Sequence, residues 1–496
     1  MTYAFTFDAS SCSGCKACQV ACKDKNNLPA GVLWRRVYEI SGGSWTNVGA
    51  RSSRPGRGET HPELDDKPGV REPSPYPVWV TDVFAYNLSI ACNHCVHPKC
   101  AGVCPTDAFV VREDGIVYID TSKCIGCGYC NWACHYAAPQ YNWEAGRMTK
   151  CNFCYDNIDA GLPPACVAAC PMRVLDFISV TPVPQGEGQG EASQSGVRAL
   201  WELPATEHPF PLPKYSRTEP HLAIQPHAAM TNTLEKTVSN REEIKPRKTK
   251  SELPLVVFTL LSQMAVGIAL FSFFSGPLST ATLITLGGLI GASALASLLH
   301  LGAPLNAWRA MLHFKKSSLS REILVFALFG GSWFLSLALP GMGKLPLTAC
   351  GIALVYSMAQ VYGLRSIPAW NTNRTLLAFT VSTILLGGFG LKILGFFANP
   401  EDREYLPLAF AMFALIGAFW LSIVDNGQAH QTVRNLKVTG RLRLGLIGLG
   451  MVGALVMLFA PDALGKWISV PTFMIVLIEE GLGRWLFYEH LHQRNL

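Results

Sequence analysis

Charge is scarce in this 496-residue sequence. Asp, Glu, Lys and Arg make up 15% of it, against about 25% in a typical soluble domain. With 49% hydrophobic residues and a positive mean hydropathy, so small a charged share points to a membrane. The net charge is only +6, and no basic tract dense enough for nucleic acid occurs outside one short juxtamembrane run, REEIKPRKTK; nucleic acid is therefore set aside as a partner. The opening segment, MTYAFTFDASSCSGCK, lacks a basic stretch, an apolar core, a cleavage site and a twin-arginine pair, so nothing in it predicts export. Cysteine is almost missing from one part of the chain: beyond Cys170 the last 326 residues hold only Cys350. An unexported segment that holds the other sixteen is read as a set of thiolate ligands, because disulfides need an oxidising compartment.

Those sixteen fall into four groups of four. Cys12, Cys15, Cys18 and Cys22 have the spacing C-x2-C-x2-C-x3-C, and Cys124, Cys127, Cys130 and Cys134 repeat it. Cys92, Cys95, Cys100 and Cys104 run C-x2-C-x4-C-x3-C before Pro105; Cys151, Cys154, Cys166 and Cys170 run C-x2-C-x11-C-x3-C before Pro171. Three closely spaced thiolates wrap one corner of a [4Fe–4S] cube, while the fourth, on the helix that follows, turns toward the other cluster of a two-cluster unit. The expected sets are therefore cluster a on Cys12, Cys15, Cys18 and Cys170, cluster b on Cys22, Cys151, Cys154 and Cys166, cluster c on Cys92, Cys95, Cys100 and Cys134, and cluster d on Cys104, Cys124, Cys127 and Cys130. Zinc, the alternative for paired C-x2-C motifs, needs neither the third close Cys nor the trailing Cys-Pro. Four [4Fe–4S] clusters in a row predict one-electron transfer and are silent on substrate.

The spacing and hydropathy predict an α+β, bacterial-ferredoxin-like four-cluster domain over 1–180, with an insertion at about 41–87 rich in Gly, Pro, Arg and Trp. That insertion is either a surface excursion or a docking surface for a catalytic partner. Residues 181–250 hold nine prolines and the tract GEGQGEASQSG; they predict an extended strap or a free tether. From 251 to 496 comes an all-α polytopic bundle with eight expected transmembrane helices: Leu253–Phe274, Thr280–His300, Glu322–Leu339, Leu345–Gly363, Leu376–Gly395, Leu406–Val424, Leu444–Phe459 and Trp467–Tyr488. On one side of these spans lie the run from Arg241 to Lys250, Arg309, Lys315, Lys316, Arg321, Arg365, Arg374, the run from Arg434 to Arg443, and Arg494, sixteen basic residues in all. The other side has Lys344, Arg403 and Lys466. The imbalance predicts a multi-pass protein of the cytoplasmic (inner) membrane whose iron–sulfur domain faces the cytoplasm.

A membrane carrier of electrons needs a lipid-soluble partner or a bound haem. Haem b needs paired histidines inside the bundle, and only His300 lies within a span, with His313 in the next loop; no haem is expected and a quinone takes its place. His300 and Glu322, with Arg309 and Arg321 on the same side, form the candidate quinone site, since a His and a carboxylate beneath the clusters can bind a quinone carbonyl and relay its proton. His300 could equally cap the LGAP turn, and Glu322 could serve the helix dipole. Glu479 and Glu480, deep in the last span, are read either as a proton path or as an ion pair of Glu480 with Arg484. Lys392 can snorkel and needs no role.

The four spacings, with SSCSGCKACQVACKDKNNLP and WRRVYEISGGSW, resemble the electron-transfer subunit of the dimethyl sulfoxide reductase family. LPLVVFTLLSQ, SLLHLGAPLNAWRAM, SSLSREI and EEGLGRWLFY resemble the eight-helix membrane anchor subunit of that family. The resemblance implies that a third chain carries a molybdenum or tungsten bis-pyranopterin guanine dinucleotide (Mo/W-bisPGD) and performs the substrate chemistry. It also implies that the anchor takes menaquinone or another quinone without haem, and that the family's functional His and Glu fall on His300 and Glu322. No segment resembles the molybdopterin subunit, so this chain is expected to exchange electrons with the quinone pool and to leave the terminal substrate to its partner. The better-known relatives hold their soluble subunits outside the membrane, whereas the charge count here points inward, a layout similar to membrane-bound sulfite dehydrogenase. S-oxide reduction and sulfite oxidation both stand, with formate dehydrogenase, polysulfide or tetrathionate reductase and hydrogenase partners as alternatives, and an ion-translocating bundle as a third class.

Overall fold

The computed structural model describes residues 2–48, 78–180, 198–199, 218–231, 234–240, 252–274, 278–339, 342–398, 405–428, 434–459 and 462–489. Most of the 41–87 insertion, much of the 181–250 strap and the basic run at 241–250 lie outside the described residues.

The N-terminal part is a set of small sheets laced between cysteine loops. Strand β1 (Thr2–Asp8) pairs antiparallel with β10 (Leu175–Val180), Phe5 opposite Phe177, so the beginning of the segment lies against its end. β12 (Leu222–Gln225), from the strap, joins the other edge of β1 in parallel, with β11 (Arg198–Ala199) outside it. β2 (Arg36–Gly42) and β5 (Phe84–Ile90) form a long antiparallel pair. Its far end continues into β3 (Trp45–Val48) and β4 (Val78–Thr81), and β13 (Lys236–Val238) pairs with β2. Two-stranded ribbons, β6 (Phe109–Val111) with β7 (Val117–Ile119) and β8 (Gln140–Asn142) with β9 (Arg147–Thr149), separate later cysteine groups. Short helices α1 (Ala17–Lys25), α2 (Lys99–Gly102), α3 (Tyr129–Ala133), α4 (Tyr155–Asp159) and α5 (Ala165–Ala168) follow the cysteine loops. Alternating apolar positions of β1, β2 and β5, among them Phe5, Phe7, Tyr38, Ile40 and Leu88, bury one face against Phe153 and the cysteines, as a half-buried sheet requires.

The C-terminal part consists, in the described residues, of the long helices α6 (Leu253–Phe274), α7 (Thr280–Leu299), α8 (Ser318–Ala338), α9 (Lys344–Val361), α10 (Asn373–Ala398), α11 (Tyr405–Gln428), α12 (Arg434–Phe459) and α13 (Asp462–Glu489). Six of them, α6 to α10 and α12, are long and apolar enough to cross a membrane. The apolar stretch of α11 is shorter, Pro407–Ser422, and α13 carries Glu479, Glu480 and Arg484 close together. The sequence expectation of eight spans is thus met by six helices on length and apolarity alone. Large apolar side chains such as Phe413, Phe459 and Trp467 face outward, the inverse of a soluble bundle and the surface that lipid needs. A short 3-10 helix with Leu305 and Trp308 exposed, Pro304–Met311, links α7 to α8.

Candidate functional site

Each cysteine group opens with the same backbone device. The second residue after the first Cys has positive φ in all four: Gly14, His94, Gly126 and Phe153 at 71°, 41°, 70° and 61°. Left-handed backbone reverses the local direction of the loop, so the Cys side chains and the intervening amides face one concavity. Gly126 N and Met148 N donate to Cys124 Sγ at 3.4 Å, Phe153 N donates to Cys151 Sγ at 3.4 Å, and Ala108 N donates to Cys104 Sγ at 3.3 Å. Two non-glycine residues, His94 and Phe153, hold a conformation that L residues rarely adopt without a functional reason.

Three cavities coincide with three of the expected quartets. One is lined by Cys12, Cys15, Cys18 and Cys170, one by Cys92, Cys95, Cys100 and Cys134, and one by Cys104, Cys124, Cys127 and Cys130. In each, the Cys from the distant group closes the ring. The remaining four, Cys22, Cys151, Cys154 and Cys166, are brought together by packing of α1 on α5 and lie within electrostatic reach of one another. Among the described residues no three His, Cys, Asp or Glu side chains converge on a single ion. Thiols spread around a cavity suit a polynuclear iron–sulfur cluster better than one tetrahedral zinc. The residues fit such clusters, which supply one-electron redox steps when bound.

The quartets follow one another in space. Taking sets a, b, c and d as first to fourth, Cys18 of the first lies within electrostatic reach of Cys166 of the second, Cys151 of the second of Cys92 of the third, and Cys130 of the fourth of Cys100 of the third. The Cys104/Cys124/Cys127/Cys130 quartet sits on the helical bundle. Ile125 O accepts from both Gly302 N and Ala303 N at 3.1 Å. Ser317 Oγ donates to Val103 O at 2.7 Å, Asn306 Nδ2 to Ser122 O at 3.2 Å, and Ser366 Oγ to Trp132 O. Trp132 then packs among Tyr362, Trp370 and Tyr488.

His300 and Glu322 flank this junction. Their neighbours Leu301 and Ile323 belong to one small apolar cluster with Ile125, Ala310 and Cys127. His300 caps α7, and its Nδ1–H donates to Ser297 O at 2.6 Å. Glu322 is buried, at 5% exposure, and stands beyond the first turn of α8, where the helix dipole has faded. It lies within electrostatic reach of Tyr129, on the iron–sulfur side. Arg321 is exposed and donates to Ser318 Oγ at 3.1 Å, and Arg309 stacks over Trp308 at 5.4 Å; neither is drawn into the interior with Glu322.

Glu479 and Glu480 lie elsewhere in the bundle. Arg443 Nε pairs with Glu479 Oε1 at 2.7 Å, joining α12 to α13. Glu480 Oε2 accepts from Ser382 Oγ at 2.7 Å, while Arg484 donates to Gln263 Oε1 at 2.8 Å and to Ser382 Oγ at 3.4 Å, and stacks on Phe379 at 3.9 Å. The ion pair expected within α13 is replaced by links through Ser382 and across helices. Lys392 is 9% exposed, more deeply placed than snorkelling implies.

Several buried polar residues escaped the sequence reading. Arg35 and Arg36, in WRRVY, and Lys150, immediately before Cys151, are each 1–2% exposed. Their adjacency to strand and cysteine signals was visible, but only folding reveals that they are buried.

A sequence-family profile described as a 4Fe-4S dicluster domain matches residues 83–180, and one described as the DMSO reductase anchor subunit matches residues 248–489. The protein is 38% identical over 244 residues to the B component of the anaerobic dimethyl sulfoxide reductase of Escherichia coli, covering 49% of this sequence and 98% of that one. It is 36% identical over 192 residues to a putative dimethyl sulfoxide reductase iron-sulfur subunit of Halobacterium salinarum, covering 35% and 65%. It is also 36% identical over 170 residues to the B component of the tetrathionate reductase of Salmonella typhimurium, covering 34% and 54%. The protein therefore belongs to the dimethyl sulfoxide reductase family, as an iron–sulfur electron-transfer subunit continuous with a membrane anchor.

Proposed function

We propose that this chain relays electrons between a quinone pool and a catalytic Mo/W-bisPGD subunit, through four [4Fe–4S] clusters a to d held by the quartets given above. The observation that carries this reading is the seating of the Cys104/Cys124/Cys127/Cys130 quartet on the bundle, beside His300 and the buried Glu322. The domain plan is 1–180 for the clusters, 181–250 for the strap and 251–496 for an eight-span anchor, with the iron–sulfur domain in the cytoplasm. The quinone, menaquinone or another, takes a hydrogen bond from His300, and Glu322 holds or releases its proton. Arg309 and Arg321 line the entrance from the membrane surface, and Glu479 and Glu480 belong to a proton path. The anchor profile favours S-oxide reduction at the partner, while the inward charge bias keeps sulfite oxidation beside it.

The full chain solubilised from membranes should carry about sixteen non-haem irons and co-purify with a molybdopterin-containing subunit; two to four zinc ions in a colourless chain would refute the reading. Replacing His300 or Glu322 should abolish quinol-linked turnover while artificial dyes still exchange electrons with the clusters. Unaltered quinol kinetics in both variants would remove the quinone assignment.

A further inference from the structure

Two buried cations stand between the cysteine quartets, and neither has an acidic partner within salt-bridge distance among the described residues. Lys150 is 2% exposed. Its Nζ donates to Cys92 Sγ at 3.3 Å, to Cys151 O at 3.0 Å and to Val117 O. All three ammonium protons are thereby used, one of them on a thiol of the third quartet, while the backbone of Lys150 leads directly into the second. Arg35 is likewise 2% exposed. Its Nη1 donates to Ser89 Oγ at 3.2 Å, and that hydroxyl lies 3.3 Å from Cys18 Sγ of the first quartet. Its Nε and Nη2 have no hydrogen-bond partner among the described residues, and the thiols within its electrostatic reach are Cys18, Cys22, Cys151 and Cys166. An unpaired buried cation is costly, so its retention calls for a negative charge that the polypeptide does not itself provide. The thiols in strongest electrostatic reach of Lys150 are Cys92, Cys100 and Cys151, whereas the cation beside the Cys104/Cys124/Cys127/Cys130 quartet is a different one, Arg147, which reaches Cys124.

We propose that Arg35 and Lys150 are potential-setting residues, Arg35 acting on clusters a and b and Lys150 on clusters b and c, with cluster d outside the reach of both. Each electron that arrives adds a negative charge to a cluster, and a fixed cation in a low-dielectric interior favours that state. The two side chains thus raise the reduction potentials of a, b and c relative to those the same ligands would give alone. They draw electrons from the membrane-side cluster toward the far end of the domain, or hold them there when flow runs the other way.

The inference rests on the four-cluster reading, which iron content tests separately. It is examined by potentiometric titration of the full chain followed by electron paramagnetic resonance, with signals assigned through a single Cys→Ser variant in each quartet. Lys150→Gln keeps donor groups and removes the charge. At a fixed poise it should lower the reduced-to-oxidised ratio of clusters b and c at least about tenfold, which is about 59 mV for one electron. Arg35→Gln should do the same for a and b, Lys150→Arg should stay near the original values, and d should not move in any variant. Unchanged potentials in the Gln variants at full iron content would overturn the proposal, as would equal shifts of all four clusters. Loss of iron from both Gln variants, with Lys150→Arg intact, would also overturn it in favour of a purely structural role.

Discussion

Tyr129, one residue before Cys130, donates its hydroxyl to the Val361 carbonyl at 2.8 Å. This bond ties the helix that carries one ligand of the membrane-side quartet to the end of α9. Tyr129 is 2% exposed, so the bond is shielded from water, and Tyr129→Phe leaves the Val361 carbonyl without that donor. A loss of about 1–2 kcal/mol is expected, read as a lower unfolding midpoint of the detergent-solubilised chain with its iron content unchanged. A midpoint identical to that of the original chain would show that the bond contributes nothing.

Gly302 lies flat against Gly146 at the same junction. A Cβ on Gly302 would overlap the Gly146 carbonyl, and Gly146 itself has φ +64°. Both Gly302 N and its neighbour Ala303 N donate to Ile125 O, so the loop cannot retreat without breaking two bonds. Gly302→Ala should slow quinol-to-cluster electron transfer at least tenfold in stopped-flow measurements, while dye-linked reduction of the clusters is unaffected. Equal loss in both assays would mean that the substitution damages the clusters instead of the junction.

Arg443 and Glu479 illustrate the asymmetry of buried ion pairs. Glu479 is 1% exposed in its side chain and Arg443 14%. Removing one partner strands the other in the bundle at a cost of about 3–5 kcal/mol, whereas replacing both with apolar residues is close to neutral. Arg443→Met is therefore expected to lower thermal stability strongly, and adding Glu479→Met should restore most of it. If the double variant is as unstable as the single one, the pair does more than neutralise itself, and the proton-path reading of Glu479 gains ground.

The cysteine thiols predict how the metal-free domain responds to pH. Burial pushes Cys22, Cys95 and Cys127 from an ordinary value of 9.0 up to about 12. Their folded pKa exceeds the unfolded one, so the stability they contribute to a cluster-free chain is full below about pH 9 and is lost as pH rises toward 12. In protein stripped of iron, alkylation mapped by mass spectrometry at pH 8 should begin at the exposed Cys15 and lag at these three, accelerating as pH climbs. Uniform labelling at pH 8 would show that the quartets collapse without metal. Each cluster that reassembles must also release the protons of its ligands.

The ligand types and their order along the chain are legible in the sequence. Ligand spacing is local, because C-x2-C loops and their trailing helices are set by a few backbone angles; the quartets closed by Cys134, Cys104 and Cys170 follow from that logic, and each lines a common cavity. Apolar runs likewise disclosed a helical membrane part, although among the described residues length and apolarity alone certify six helices. Tertiary structure decided what depends on distant segments. That Glu480 meets Ser382, that Arg484 meets Gln263, that strap residues Leu222–Gln225 extend the sheet of β1, and that Lys150 faces Cys92 are all contacts between residues far apart in sequence. No periodicity encodes them. A charged residue beside a cysteine reads the same in sequence whether water or thiols surround it, and only packing, by excluding the water, places Arg35 and Lys150 in the interior among the cysteine quartets.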